Sequence, residues 1–278
     1  MDEHHYLIRG GIAGRERMRV VGRVMRPTTL RLLERVGVTS GMRCLDVGCG
    51  AGEVTFDLAS LVGITGHVVG VDLDETKLDL ARGDAEQAEV GNVEFRLGDV
   101  GGGLGQEEYD VVYARFLLTH VPDPEGVLQL MIDAAKPGGE VVVEDIDYGG
   151  TFDHPTTDEF DRYREIYVEA ARVNGGDALI GRRLPLMMTR AGLERVEVEV
   201  VQPSGLEGEV TVIPALTLEN IKATAVRHEV ASGDEVDRVV DALYSIARDP
   251  EAFVASPRIV QVWGRKPGVA TVGPSGRP

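Results

Sequence analysis

Apolar positions follow two alternating rhythms along this chain. Short aliphatic, β-branched runs fall near 42–47, 67–72, 92–97, 109–114 and 139–146. Between them, near 53–62, 75–88 and 124–135, apolar residues recur at the spacing of one helical face. Continuous apolar runs read as strands buried on both faces, and their alternation with helices predicts a parallel, doubly wound sheet with right-handed crossovers. Residues 1 to about 40 read as helices, and Pro27-Thr28-Thr29 starts one of them. Leu30, Leu32, Leu33 and Val36 form its stripe and Gly37 its stop.

Beyond 146 the rhythm is interrupted. Thr156-Thr157-Asp158 caps a helix carrying Phe160, Tyr163, Ile166, Tyr167, Ala170 and Ala171, which ends at Asn174-Gly175-Gly176. A helix near 182–191, a strand near 194–200, two helices within 214–250 and a final strand at 258–263 follow. The expected organisation is an N-terminal helical segment over 1–40 and one α/β domain over 41–268. Insertions near 149–180 and 203–255 flank the carboxyl ends of the strands, where open α/β sheets bind ligands, and are expected to form a lid with the N-terminal helices. The glycine- and proline-rich stretch 269–278 reads as a flexible tail.

The first strand runs into Gly48-Cys49-Gly50-Ala51-Gly52, and Glu53 opens the next helix. Missing Cβ atoms let polar ligand atoms approach the backbone of such a turn. Acidic residues end the next two strands, at Asp72 and at Asp99, and the three features together form a nucleoside-binding layout. A dinucleotide fingerprint needs a third glycine where this chain has Glu53, and a carboxylate there would compete with a pyrophosphate for the positive helix end. A ligand without phosphates, such as S-adenosylmethionine, fits better.

The chain resembles the class I S-adenosylmethionine-dependent methyltransferases of the small-molecule type. The matching elements are Leu45-Asp46-Val47-Gly48-Cys49-Gly50, Gly70-Val71-Asp72-Leu73, Gly98-Asp99-Val100, Tyr109-Asp110-Val111-Val112, His120-Val121-Pro122-Asp123-Pro124 and Lys136-Pro137-Gly138-Gly139. They stand in the family's order over residues 41–146, with a weaker echo at Gly181-Arg182-Arg183-Leu184-Pro185 and Ala191-Gly192-Leu193. The resemblance implies a Rossmann-like sheet of about seven strands. The last strand would be antiparallel, inserted between the fifth and sixth, beneath a helical lid. It also implies methyl transfer from S-adenosylmethionine, leaving S-adenosylhomocysteine.

Site roles follow from the matched positions. Asp72 would accept hydrogen bonds from both ribose hydroxyls, beside Leu73, and Asp74 serves better as the cap of the next helix. Asp99, after Gly98, would accept from the adenine amino group while the Val100 N–H meets a ring nitrogen. Gly48 and Gly50 lie in the turn, and the resemblance links Asp46 to the cofactor's ammonium. Ala114 and Arg115 follow the fourth strand, where backbone carbonyls meet the methionine part, although the Arg115 side chain could simply pair with a surface acid. Tyr6 lies in a segment that could fold over the cofactor.

Chemistry at the acceptor is less defined. Methyl transfer is an in-line displacement on a sulfonium, so alignment supplies much of the rate and a base is needed only for a protonated nucleophile. His120 is the first candidate base, with a purely structural role as its equal. Asp145 and His154 are further candidates beyond the fifth strand. No Asn/Asp-Pro-Pro-aromatic turn follows the fourth strand, no magnesium-catechol carboxylate set is present and no zinc spacing occurs, so a metal-free mechanism is expected. The alternative is a protein that holds S-adenosylmethionine without transferring its methyl, or uses it in a rearrangement or cyclisation.

Composition narrows the partners. A net charge of −17, from 46 acidic and 29 basic residues, repels phosphate backbones and argues against nucleic acid. Arg9, Arg15, Arg17, Arg19, Arg23, Arg26, Arg31 and Arg35 nevertheless cluster near the N-terminus. They read mainly as the solvated face of an amphipathic helix, with one or two left to touch the cofactor's carboxylate or an anionic substrate. The 278 residues contain no bilayer-spanning run, and Met1-Asp2-Glu3-His4-His5 is not a secretory signal. Two cysteines make no disulfide framework. A cytoplasmic monomer or homodimer acting on a small molecule, without a membrane partner, is the expectation.

Overall fold

The apolar runs build one sheet whose central strands are covered on both faces. The computed structural model describes residues 11–268, with side chains described from Arg17 on. In chain order it comprises α1 (Gly11–Val36), β1 (Arg43–Val47), α2 (Glu53–Val62), β2 (His67–Asp72), α3 (Glu75–Gln87), β3 (Val93–Leu97) and β4 (Tyr109–Arg115). Then come α4 (Pro124–Ala134), β5 (Ala135–Asp147), β6 (Phe152–His154), α5 (Asp158–Val173), α6 (Leu184–Arg190) and β7 (Glu194–Val201). The chain closes with β8 (Ser204–Gly205), α7 (Glu209–Arg227), α8 (Gly233–Arg248), β9 (Phe253–Ala255) and β10 (Arg258–Arg265).

The main sheet has seven strands in the order β3-β2-β1-β4-β5-β10-β7. The first five pair in parallel, and β10 runs antiparallel to both neighbours. The last strand thus lies where the resemblance implied. Strand order reverses between β1 and β4, which opens a crevice at their carboxyl ends.

Side-chain alternation sends Leu45, Val47, Val69, Val112, Val141 and Val143 to one face, against Val127, Leu128 and Met131 of α4. Cys44, Val68, Val111, Tyr113 and Val142 take the other, against Leu32 and Leu33 of α1 and Leu58 and Val62 of α2. A further core joins Met25 of α1, Tyr148, and Phe160, Tyr163 and Tyr167 of α5 to Leu218 and Ile221 of α7 and Val236, Val240 and Leu243 of α8. It stands beyond the carboxyl ends of the strands. Among the described residues no helix is long and apolar enough to cross a membrane.

Three details differ from the pattern-based expectation. Helix α1 continues through Pro27 instead of starting there, and the Thr28 hydroxyl donates to the Met25 carbonyl at 2.8 Å. Helix α7 begins at Glu209 and continues through Pro214, whose missing N–H removes the bond to the Val210 carbonyl. β6, β9 and β8 form a small antiparallel sheet, their strands too short for a periodic signal. The stretch 269–278 and residues 1–10 of the expected N-terminal segment lie outside the described residues.

A fully buried carboxylate ties α1 to the sheet. Glu144 of β5 accepts from the Thr29 hydroxyl at 2.9 Å and the Gln261 amide at 2.6 Å, and from the Tyr113 hydroxyl. Glu144→Ala strands these three buried donors, each costing about 1–3 kcal/mol. Urea denaturation is expected to show a loss of at least about 3 kcal/mol; a loss under about 1 kcal/mol would mean the network holds nothing together.

Candidate functional site

At the end of β1 the chain turns through Gly48, Gly50 and Gly52 at φ of 72°, 58° and 86°. Space is as restrictive as conformation. A Cβ on Gly48 would lie 3.0 Å from Leu117 Cδ1, and one on Gly52 2.9 Å from Phe95 Cζ. The amides of Gly48 and Cys49 donate to the Val71 carbonyl at 2.8 and 3.0 Å. Asp72, ending β2, accepts from the Gly50 N–H at 2.8 Å through one oxygen and from the Asp74 N–H at 2.9 Å through the other. Each oxygen keeps a lone pair for a ligand. The turn and the strand-end carboxylate form one unit.

Two cavities meet here and share Gly48, Asp72 and His120. The larger, about 590 Å³, is walled by Leu73, Asp99, Val100, Leu117, Val121 and Val127. Asp99 is exposed and caps its own turn, accepting from the Gly101 N–H at 3.0 Å. The smaller, about 110 Å³, is bordered by Asp46, Gly50, Glu53, Lys77 and Arg115, and is closed by Arg17, Met18 and Val21 of α1 with Phe116. The first suits a flat heterocycle and ribose. The second, with carboxylates on several sides, suits the charged end of a zwitterion, and Glu53 at the start of α2 opposes a phosphate.

Electrostatics separate the candidate acids and bases. Asp46 is buried and accepts from the Thr55 hydroxyl at 2.7 Å; burial pushes its carboxyl up to about 7, with Thr55 and the Arg115 charge opposing. Burial pushes the His120 imidazole down to about 3, helped by the charges of Arg17 and Lys77, so it is neutral at ordinary pH. Arg115 lies 5.7 Å over the Phe116 ring, and its Nη1 donates to the Thr29 hydroxyl at 3.3 Å.

The other candidates fall elsewhere. Asp145 is buried outside both cavity walls, where it accepts from the N–H groups of Thr119 at 3.0 Å and Ile146 at 2.8 Å and so holds the turn that carries His120. Burial raises it to about 7. His154 is exposed on β6, and neither it nor Gly98 nor Ala114 lines either cavity. Tyr6 lies outside the described residues. Sequence reasoning gave no role to Lys77 and read Arg17 chiefly as a solvated arginine. The spacing of Arg17, Val21 and Met25 along α1 is the signal that could have turned that face inward.

Comparison with known proteins shows the family. A family model described as a methyltransferase domain matches residues 38–192, and the chain belongs to that family, the class I S-adenosylmethionine-dependent methyltransferases. It is 32% identical over 138 residues to a demethylmenaquinone methyltransferase of Lactococcus lactis, covering 49% of this chain and 52% of that one. It is 38% identical over 111 residues to a ubiquinone biosynthesis O-methyltransferase of Acinetobacter baylyi, covering 39% of this chain and 45% of that one. The matches thus span about half the length of these curated relatives. Among solved structures, a Bacillus halodurans protein assigned as a methyltransferase aligns with a TM-score of 0.60 at 21% identity, covering 86% of this chain and 99% of that one. A Haemonchus contortus phosphoethanolamine N-methyltransferase, solved with S-adenosylmethionine, aligns at 0.55 and 21% identity over 87% and 52%. These two likenesses concern the fold.

The Asp46 carboxyl gives the fold a pH signature. Its pKa rises from 3.8 unfolded to about 7 folded, so the folded chain binds the extra proton between those values. The stabilisation is complete below the lower value and fades as pH rises through the upper one. Asp46→Asn has no such loss, and its urea midpoint is expected to gain on the wild type between about pH 5 and about pH 7.5. A constant difference would mean that Asp46 is ionised throughout.

Proposed function

We propose that this chain transfers the methyl group of S-adenosylmethionine to a small-molecule acceptor by metal-free, in-line displacement. The observation that carries the reading is the pair of cavities joined at Gly48, Asp72 and His120, one walled for a nucleoside and one lined with carboxylates. Asp72 takes the ribose hydroxyls on its free lone pairs, Leu73 and Val100 sandwich the base, and Asp99 and the Val100 N–H read its edge. Asp46 accepts from the ammonium, through water or directly, and Arg115 takes the carboxylate. When bound, the cofactor supplies a methyl on a sulfonium, a carbon already carrying an excellent leaving group.

The chain's own residues then exclude water and align the acceptor. Helix α1 closes the smaller cavity with Arg17, Met18 and Val21, and α5 with α7 and α8 completes the lid. Asp145 is a positioning residue that fixes the turn of His120 through backbone amides. A neutral His120 accepts a hydrogen bond from the acceptor but binds a proton poorly, so the favoured acceptors present a nucleophile needing little help from a base. His154, exposed on the small sheet, takes no part. The acidic chain acts on a discrete molecule and not on nucleic acid, and its buried free thiols Cys44 and Cys49 suit a reducing cytoplasm.

The test is S-adenosylhomocysteine formation across a panel of phenols, amines, thiols and acidic carbon compounds. Acceptor-dependent product is expected with at least one class, and Asp72→Ala should lower kcat/KM by about 100-fold. Cofactor binding without product from any class would favour a protein that holds S-adenosylmethionine without methyl transfer.

A further inference from the structure

Arg17 is anomalous among the described arginines of α1, because Arg19, Arg23, Arg26, Arg31 and Arg35 are all exposed. Arg23 pairs with Glu209, Arg26 with the buried Asp57 and Arg35 with Glu199. Arg17 is half-buried, borders the smaller cavity and forms no ion pair among the described residues. Its Nε donates to the Thr217 hydroxyl of α7 at 3.1 Å. Thr217 is fully buried and sits against a knot of phenols. Within the knot, the hydroxyls of Tyr148 and Tyr163 lie 2.8 Å apart, and Tyr148 stacks on Tyr167 with ring centroids 3.7 Å apart. Burial keeps all three phenols protonated, so they donate hydrogen bonds and carry no balancing negative charge. A cation is therefore held at the wall of the cavity by an anchored hydroxyl, with its remaining N–H groups available.

We propose that Arg17 binds the acceptor, and that the acceptor is a small monocarboxylic acid with an apolar or aromatic body. This rests on the methyl-transfer reading. It adds the acceptor's charge and the residue that recognises it. One guanidinium matches one carboxylate in a bidentate pair. A dianion is disfavoured, because Glu53 and Asp72 border the same cavity and supply like charge. The body of the acid lies over Met18, Val21 and Phe116 at the open α1 rim, because about 110 Å³ does not hold it together with the cofactor's charged end. The cofactor's carboxylate has its own cation in Arg115, which lies against the turn side of the cavity near Asp46 and Glu53. In a chain of net charge −17, an acid enters against the field, and a fixed cation inside the chamber gives it a reason to stay.

The probe is benzoate, titrated calorimetrically into the full chain saturated with S-adenosylhomocysteine, with benzamide and inorganic phosphate as controls. Benzoate is expected to bind at least about tenfold more tightly than benzamide, and phosphate to give no heat. Arg17→Met should weaken benzoate by about tenfold or more and leave S-adenosylhomocysteine affinity within about twofold, with Arg17→Lys intermediate. Equal binding of benzoate and benzamide, or phosphate binding best, overturns the proposal. Loss of S-adenosylhomocysteine affinity in both Arg17 variants overturns it as well, by assigning this guanidinium to the cofactor. Failure of the wild type to bind S-adenosylhomocysteine removes the methyl-transfer reading beneath it.

Discussion

The clasp between Asp72 and the glycine turn is the constraint on which the rest of the site depends. Parallel strands present free amides and carbonyls at their carboxyl ends, and each needs a partner or a ligand. Here the end of β2 supplies the partners: Val71 O takes the amides of Gly48 and Cys49, and the Asp72 carboxylate takes that of Gly50. The turn is thereby fixed before any ligand arrives. Gly48 and Gly52 are required because their φ values are positive and because Leu117 and Phe95 fill the space a side chain would take. A rigid turn with a carboxylate at its rim binds a polar ligand with little ordering left to do.

The second constraint is the attachment of α1. The cofactor crevice of an open α/β sheet is exposed on one side, and this chain covers it with a helix whose position is set by a buried polar network. Thr29, Tyr113 and Gln261 converge on Glu144, and Arg115 reaches Thr29 from the cavity side. Such a network is satisfied in only one placement of α1, which sets the register bringing Arg17, Met18 and Val21 to the cavity wall. Helix α1 and the walls of the two cavities are thus mechanically linked.

Much of this was legible in the sequence, for a physical reason. The apolar runs, the glycine turn and the strand-end acids are local features whose spacing follows strand and helix geometry, so Gly48, Asp72 and Val100 could be placed without a structure. Side chains that reach the site from sequence-distant helices were not legible. Arg17 read as one more surface arginine because its neighbours Thr217, Tyr148 and Tyr163 come from elsewhere in the chain. Lys77 drew no reading from the sequence. Asp145 and His154 both looked like residues beyond the fifth strand, yet Asp145 lies within β5 and is captured by backbone amides, while the small sheet carries His154 away to solvent. Pro27 looked like a helix start because proline is favoured in a first turn, and no local signal showed that α1 runs through it.

Direct equilibrium titration of the full chain with S-adenosylmethionine, S-adenosylhomocysteine and NAD tests the cofactor assignment at its root. Dissociation constants of about 1–100 µM for the first two, with no binding of NAD, are the expected result. Binding of NAD with neither of the others would contradict it, returning the glycine turn to the dinucleotide-binding proteins despite Glu53.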